Sequence, residues 1–146
     1  MAKLPEVLNS PDKKETVIDD VLTLIDAEVA DKGGISGLAL KAGYGMVKGI
    51  KPGFIRHVVH DLLPEFAEAL DPFYQESVEQ KKTPRDHFVA NSSRVADALL
   101  AITDGRAQTA KNAVVRKTYD KLRSTAKKNV EQALPRLGSL VEKHTK

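Results

Sequence analysis

The sequence contains no cysteine and no tryptophan, and only 5% of it is aromatic. Without cysteine there is no disulfide scaffold, no thiol nucleophile and no thiolate metal site. Most of the aromatic residues (Tyr44, Phe54, Phe66, Phe73, Tyr74, Phe88 and Tyr119) sit on apolar faces, which leaves no platform for stacking bases. No apolar run approaches the ~20 residues that a membrane-spanning helix needs. The stretch from Met1 to Pro11 has neither the apolar region nor the cleavage site of a secretory signal, so a cytoplasmic protein is expected.

What is present suits one compact domain over residues 1–146. The chain is 41% hydrophobic, too apolar for disorder and long enough to enclose a core. Its apolar residues recur with helical spacing. Ser10 is read as an N-cap with Pro11 following. Val17, Ile18, Val21, Leu22, Leu24, Ile25 and Val29 then share a face, and Gly33-Gly34 is read as the stop. Residues 35–50 are read as a helix capped by Ser36, or as a mobile loop, because Gly37, Gly43, Gly45 and Gly49 each cost about 1 kcal/mol there.

Residues 53–70 form the next apolar stripe, with a kink expected at Pro64 and a restart at Asp71-Pro72. Residues 80–82 read as a loop, Thr83 as a cap, and Gly105 as the end or kink of a helix. The most regular part is 110–146, interrupted by Pro135. No stretch alternates with period two. The class predicted is therefore all-α, a bundle of about six to eight helices kinked or broken at Pro64, Pro72 and Pro135.

Five phrases carry a resemblance: residues 27–37 (AEVADKGGISG), 51–53 (KPG), 70–74 (LDPFY), 96–104 (ADALLAITD) and 133–138 (ALPRLG). Together they resemble a family of small uncharacterised actinobacterial proteins. The resemblance implies a bacterial helical protein and assigns no activity, cofactor or site residue.

Several constellations are candidates for chemistry. His57, Asp61, Glu65 and Glu68 recur at steps of three or four, with His60 nearby, and such a stripe can bind a divalent metal. The competing reading is a solvated face opposite the core. Residues 34–38 (GISGL) lack the last glycine of a nucleophile elbow, and residues 43–49 (GYGMVKG) lack the lysine position of a phosphate loop. For the latter, close helix packing at Gly45 and Gly49 is preferred. Glu28 lies within an apolar arc one turn before Lys32, which favours a surface ion pair over a buried acid. No cofactor is indicated.

Charge is unevenly spread. Residues 106–146 carry eleven bases and three acids, a surplus of eight positive charges, whereas residues 1–105 carry twelve bases and seventeen acids. The basic face of Arg116, Lys117, Lys121, Arg123, Lys127 and Lys128 is the predicted contact surface. The leading expectation is a non-enzymatic interaction protein using this face on an acidic protein. Nucleic-acid binding through the same face is an alternative, and a metal- or small-ligand-binding protein or enzyme is another. A homodimer is compatible with the glycine-rich segment. The opposing reading is that the acidic part neutralises the basic part within one fold.

Overall fold

Helical periodicity over most of the chain produces seven helices among the described residues, in a computed structural model that describes residues 3–145, with Ser36 described by its backbone alone. They are α1 (Leu4–Leu8), α2 (Lys14–Asp31), α3 (Gly34–Lys48), α4 (Phe54–Glu79), α5 (Pro84–Ala90), α6 (Ser92–Thr109) and α7 (Ala113–Thr145). No strand occurs among the described residues, and the architecture is an all-α single domain.

The prolines do not break the long helices. α4 runs for 26 residues through Pro64 and Pro72, and α7 for 33 residues through Pro135. Each interior proline costs about 3 kcal/mol in lost hydrogen bonding and steric clash. In α4 the buried series Val59, Leu63, Ala67, Leu70, Phe73 and Ser77 keeps one register past both prolines, and this burial outweighs the local penalty. Gly105 likewise lies inside α6, exposed and unstrained, rather than ending it.

Helix ends differ from the expected ones in four places. The reading places the first helix after Ser10 and has no counterpart of α1, whose Leu4 and Leu8 are buried. Ser10 does not cap α2 with its side chain; its Oγ donates to the Val7 carbonyl, and its own carbonyl accepts from the amides of Lys13 and Lys14. Asp71, expected to restart a helix, lies within α4 and accepts from the Leu4 amide at 2.9 Å, tying α1 down. Gly33 is extended, and the positive φ of +72° falls on Gly34 at the first turn of α3, so Gly33 rather than Ser36 is the N-cap. The Ser36 side chain, read as a cap and weighed as a nucleophile, is outside the described residues. Thr83 does cap α5, its Oγ1 accepting from the Asp86 amide at 3.1 Å. Lys81 turns the loop before it with φ of 56°.

The two longest helices organise the rest. α4 and α7 each pack against α1, α2, α3, α5 and α6, and their side chains share one core although their backbones approach each other little. The tightest surroundings of any glycine are at Gly138 of α7, where a Cβ would lie 2.3 Å from the Arg85 Cα of α5. Around it, Glu142 Oε1 accepts from the Arg85 amide at 3.0 Å and Ser139 Oγ accepts from its guanidinium.

Candidate functional site

Between the apolar faces of α4 and α7 lies a space that side chains only partly fill. It forms a cavity of about 440 Å³. α4 contributes Ile55 to Leu70, α7 contributes Val130 to Val141, and α2 and α6 add Leu24, Ile25, Leu99 and Leu100. The walls are apolar throughout. The two lining side chains with polar atoms use them elsewhere: Tyr44 donates to Asp26 at 2.6 Å, and Thr103 donates to the Leu100 carbonyl at 3.1 Å. Burial, aided by the Asp26 carboxylate, pushes the Tyr44 phenol far above its usual range, so it stays neutral.

Close-packed interiors contain few voids larger than a water molecule. An apolar cavity of ~150 Å³ already stays dry and accepts benzene. The space here is nearly three times that, and within the ~300–1,000 Å³ range of ligand pockets.

A surface groove shares Val58, Leu62 and Thr103 with the cavity, so the two spaces are neighbours. The groove's rim is cationic: Lys51, Arg106 and Lys111 stand on it against the single carboxylate of Asp61. Lys51 sits 6.0 Å above the Phe54 ring, and Arg106 is held by Glu65 at 3.0 Å. Tyr119 also lines the groove, bonded to Thr103 at 2.8 Å and to Asp104. Burial and the Asp104 carboxylate raise the Tyr119 phenol. Arg123, with Tyr119, holds the Asp104 carboxyl below its ordinary value.

The proposed metal stripe is dispersed. His57 Nε2 is 3.3 Å from Asp61, but Glu65 is turned to Arg106. Among the described residues no group of three or more His, Asp or Glu side chains is arranged to hold a metal ion. His57 and Asp61 instead line the groove.

The predicted basic face is divided. Arg123 pairs with Asp104 at 2.8 Å and Lys127 with Asp97 at 3.1 Å, while Arg116 donates to the Ala110 carbonyl. Lys117, Lys121 and Lys128 are exposed and outside every ion pair among the described residues. Elsewhere in the basic part, Arg106, Arg136 and Lys143 pair with Glu65, with Glu28 and Asp31, and with Asp20. Five bases of the C-terminal part therefore neutralise acids of the first 105 residues. Lys146 is outside the described residues.

Three ionisable groups are buried, Glu28 against the expectation of a surface pair. Glu28 is 9% exposed and pairs with both Lys32 (3.1 Å) and Arg136, so it is a buried ion pair and not a surface one. Its second cation comes from α7, and no local spacing signals that. His87 and His144 are buried against Glu76 at 2.8 Å and Asp20 at 2.6 Å.

Burial alone would raise the Asp20 carboxyl, but hydrogen bonds from Lys143 and His144 overcome it and hold the group below its ordinary 3.8. A depressed carboxylate stabilises the fold above its unfolded pKa and loses that contribution as pH falls through the folded one. The expected result is that Asp20→Asn flattens the acid limb of stability below about pH 4. Thermal melts across that range check it, and an unchanged acid limb would show that Asp20 does not carry it.

Fold and cavity define a class: an all-α domain whose two long helices both line an apolar pocket. Within that class the chain belongs to a family of unknown function, DUF6918, which covers residues 4–145. This agrees with the resemblance to an uncharacterised helical family. No curated protein and no solved structure matches the chain. Among the described residues no helix is long and apolar enough to cross a membrane.

Proposed function

We propose that the protein binds an amphipathic molecule: an apolar chain in the cavity between α4 and α7, and an anionic head group at the groove. The carrying observation is that a wholly apolar cavity of about 440 Å³ shares Val58, Leu62 and Thr103 with a rim bearing Lys51, Arg106 and Lys111. A methylene takes up about as much room as a water molecule, whose share of liquid is ~30 Å³, so the cavity suits a chain of about a dozen carbons. Each methylene moved out of water contributes about 0.8 kcal/mol. Among the described residues Lys51 and Lys111 have no carboxylate partner, so they can meet an anionic head without first breaking an ion pair.

The test is calorimetric titration with dodecanoate, and with dodecyltrimethylammonium as the cationic control. Dodecanoate is expected to bind with a negative heat-capacity change, the mark of apolar burial. The control is expected to bind at least about tenfold more weakly, a difference of roughly 1.4 kcal/mol. Lys51→Glu with Lys111→Glu should abolish that preference. Absence of heat and of any melting shift with dodecanoate removes this reading.

The basic face of α7 supports a second reading, contact with an anionic partner, now through Lys117, Lys121 and Lys128. Arg123 and Lys127 would first have to leave Asp104 and Asp97.

A further inference from the structure

We infer that the outer face of α3 docks on an anionic lipid surface. This goes beyond the cavity reading and stands on different residues.

Five large hydrophobic residues are exposed among those described, and three belong to α3: Ile35 at 89%, Leu38 at 68% and Met46 at 59%. With Ala42 they recur at steps of three, four and four, and so form one stripe along the helix. The other side of α3 is already used. A Cβ at Gly43 would touch Thr118 Cγ2 (2.9 Å) and Leu122 Cδ1 (3.0 Å) of α7, and Tyr44 lines the cavity. A helix apolar on two opposite sides is ordinarily covered on both. α3 is covered on one only.

The packing reading of Gly45 and Gly49 does not account for the outer side. A Cβ at Gly45 would meet nothing within 4 Å, and one at Gly49 would meet only carbonyls of its own helix.

Charge selects the occupant. Between Asp31 and Asp61 the chain has no acid and five bases, Lys32, Lys41, Lys48, Lys51 and Arg56. Lys32 is drawn to Glu28, Lys48 lies 4.0 Å from Asp26, and Arg56 is held by Glu15 and Asp19; Lys41 is outside every ion pair among the described residues. On the α7 side, Lys117, Lys121 and Lys128 recur at steps of four and seven, next to the Thr118 and Leu122 positions on which α3 rests. Val114, another of the exposed hydrophobics, stands one turn before Lys117. Asp120 is the one carboxylate between Gly105 and Val130. An exposed apolar stripe, with unpaired Lys41 on the same helix and unpaired lysines on the helix that it rests against, suits an anionic membrane interface, where apolar side chains enter the acyl boundary and lysines meet phosphates.

Flotation with extruded vesicles tests this. Vesicles of equal phosphatidylcholine and phosphatidylglycerol are expected to carry the protein at low salt, and pure phosphatidylcholine vesicles at least roughly tenfold less. Leu38→Glu with Met46→Glu should lower binding to the mixed vesicles by about tenfold or more. Both residues are exposed, so circular dichroism and dodecanoate affinity should not change. Lys41→Glu with Lys117→Glu and Lys121→Glu, all at exposed positions, should lower vesicle binding similarly. Failure to float with mixed vesicles, or unchanged flotation of both variants, overturns the inference. So does a dimer in analytical ultracentrifugation that the Leu38/Met46 variant dissolves, which would assign the face to a second copy. Dodecanoate binding without flotation would sink this inference and leave the cavity reading standing.

Discussion

Gly138→Ala is expected to lower the melting temperature by roughly 10 °C or more, the equivalent of about 3 kcal/mol in a domain of this size. The added Cβ would lie 2.3 Å from the Arg85 Cα and 2.9 Å from its amide nitrogen. Backbone atoms cannot rotate away as a flexible side chain can, so α5 and α7 must separate. Separation also removes the Glu142 acceptor from the Arg85 amide and loosens buried Phe88. Helix propensity works the other way: alanine in place of an interior helical glycine gains about 1 kcal/mol. A Gly105→Ala control should show that gain, since a Cβ there meets nothing within 4 Å. Melts of the two variants side by side decide the matter, and a Gly138→Ala protein as stable as the parent would mean that α5 and α7 are further apart.

Ala133→Phe should raise stability and remove ligand binding together. Ala133 lines the cavity on α7 and is only half-buried. A phenyl ring there would occupy the space proposed for the acyl chain and supply contacts that the walls lack. Cavity filling commonly adds about 0.5–2 kcal/mol, whereas crowding a filled core costs about 1–3 kcal/mol. The sign of the change therefore reports whether the space is open. Dodecanoate affinity is expected to fall by at least about tenfold. Lower stability with unchanged affinity would place the ligand elsewhere.

The helical frame was legible because burying one face of a helix imposes a spacing that survives in the residues. Val59, Leu63, Ala67 and Leu70 keep that spacing on both sides of Pro64, and the same register carries α4 through Pro72 as well. α1 was illegible because five residues hold too little periodicity, and its anchor, Asp71, lies 67 positions away. The cavity was illegible for a different reason. Leu24, Ile25, Leu62 and Phe66 show the same pattern whether they pack together or line a space, since periodicity gives the direction of a side chain and not the distance to the next one. The groove's cations come from three separate segments, so no motif joins Lys51, Arg106 and Lys111. The charge asymmetry was visible in the sequence. How it divides was not, because each of the pairs Arg123–Asp104, Lys127–Asp97, Arg136–Glu28 and Lys143–Asp20 spans two helices.

The space between α4 and α7 also bears on volume. An apolar space lined by both long helices is a packing gap in the folded chain, and unfolding removes it. Compression therefore works against this architecture more than against a filled bundle of the same length. A bound chain between α4 and α7 would make the domain less compressible without adding a contact to its outer surface.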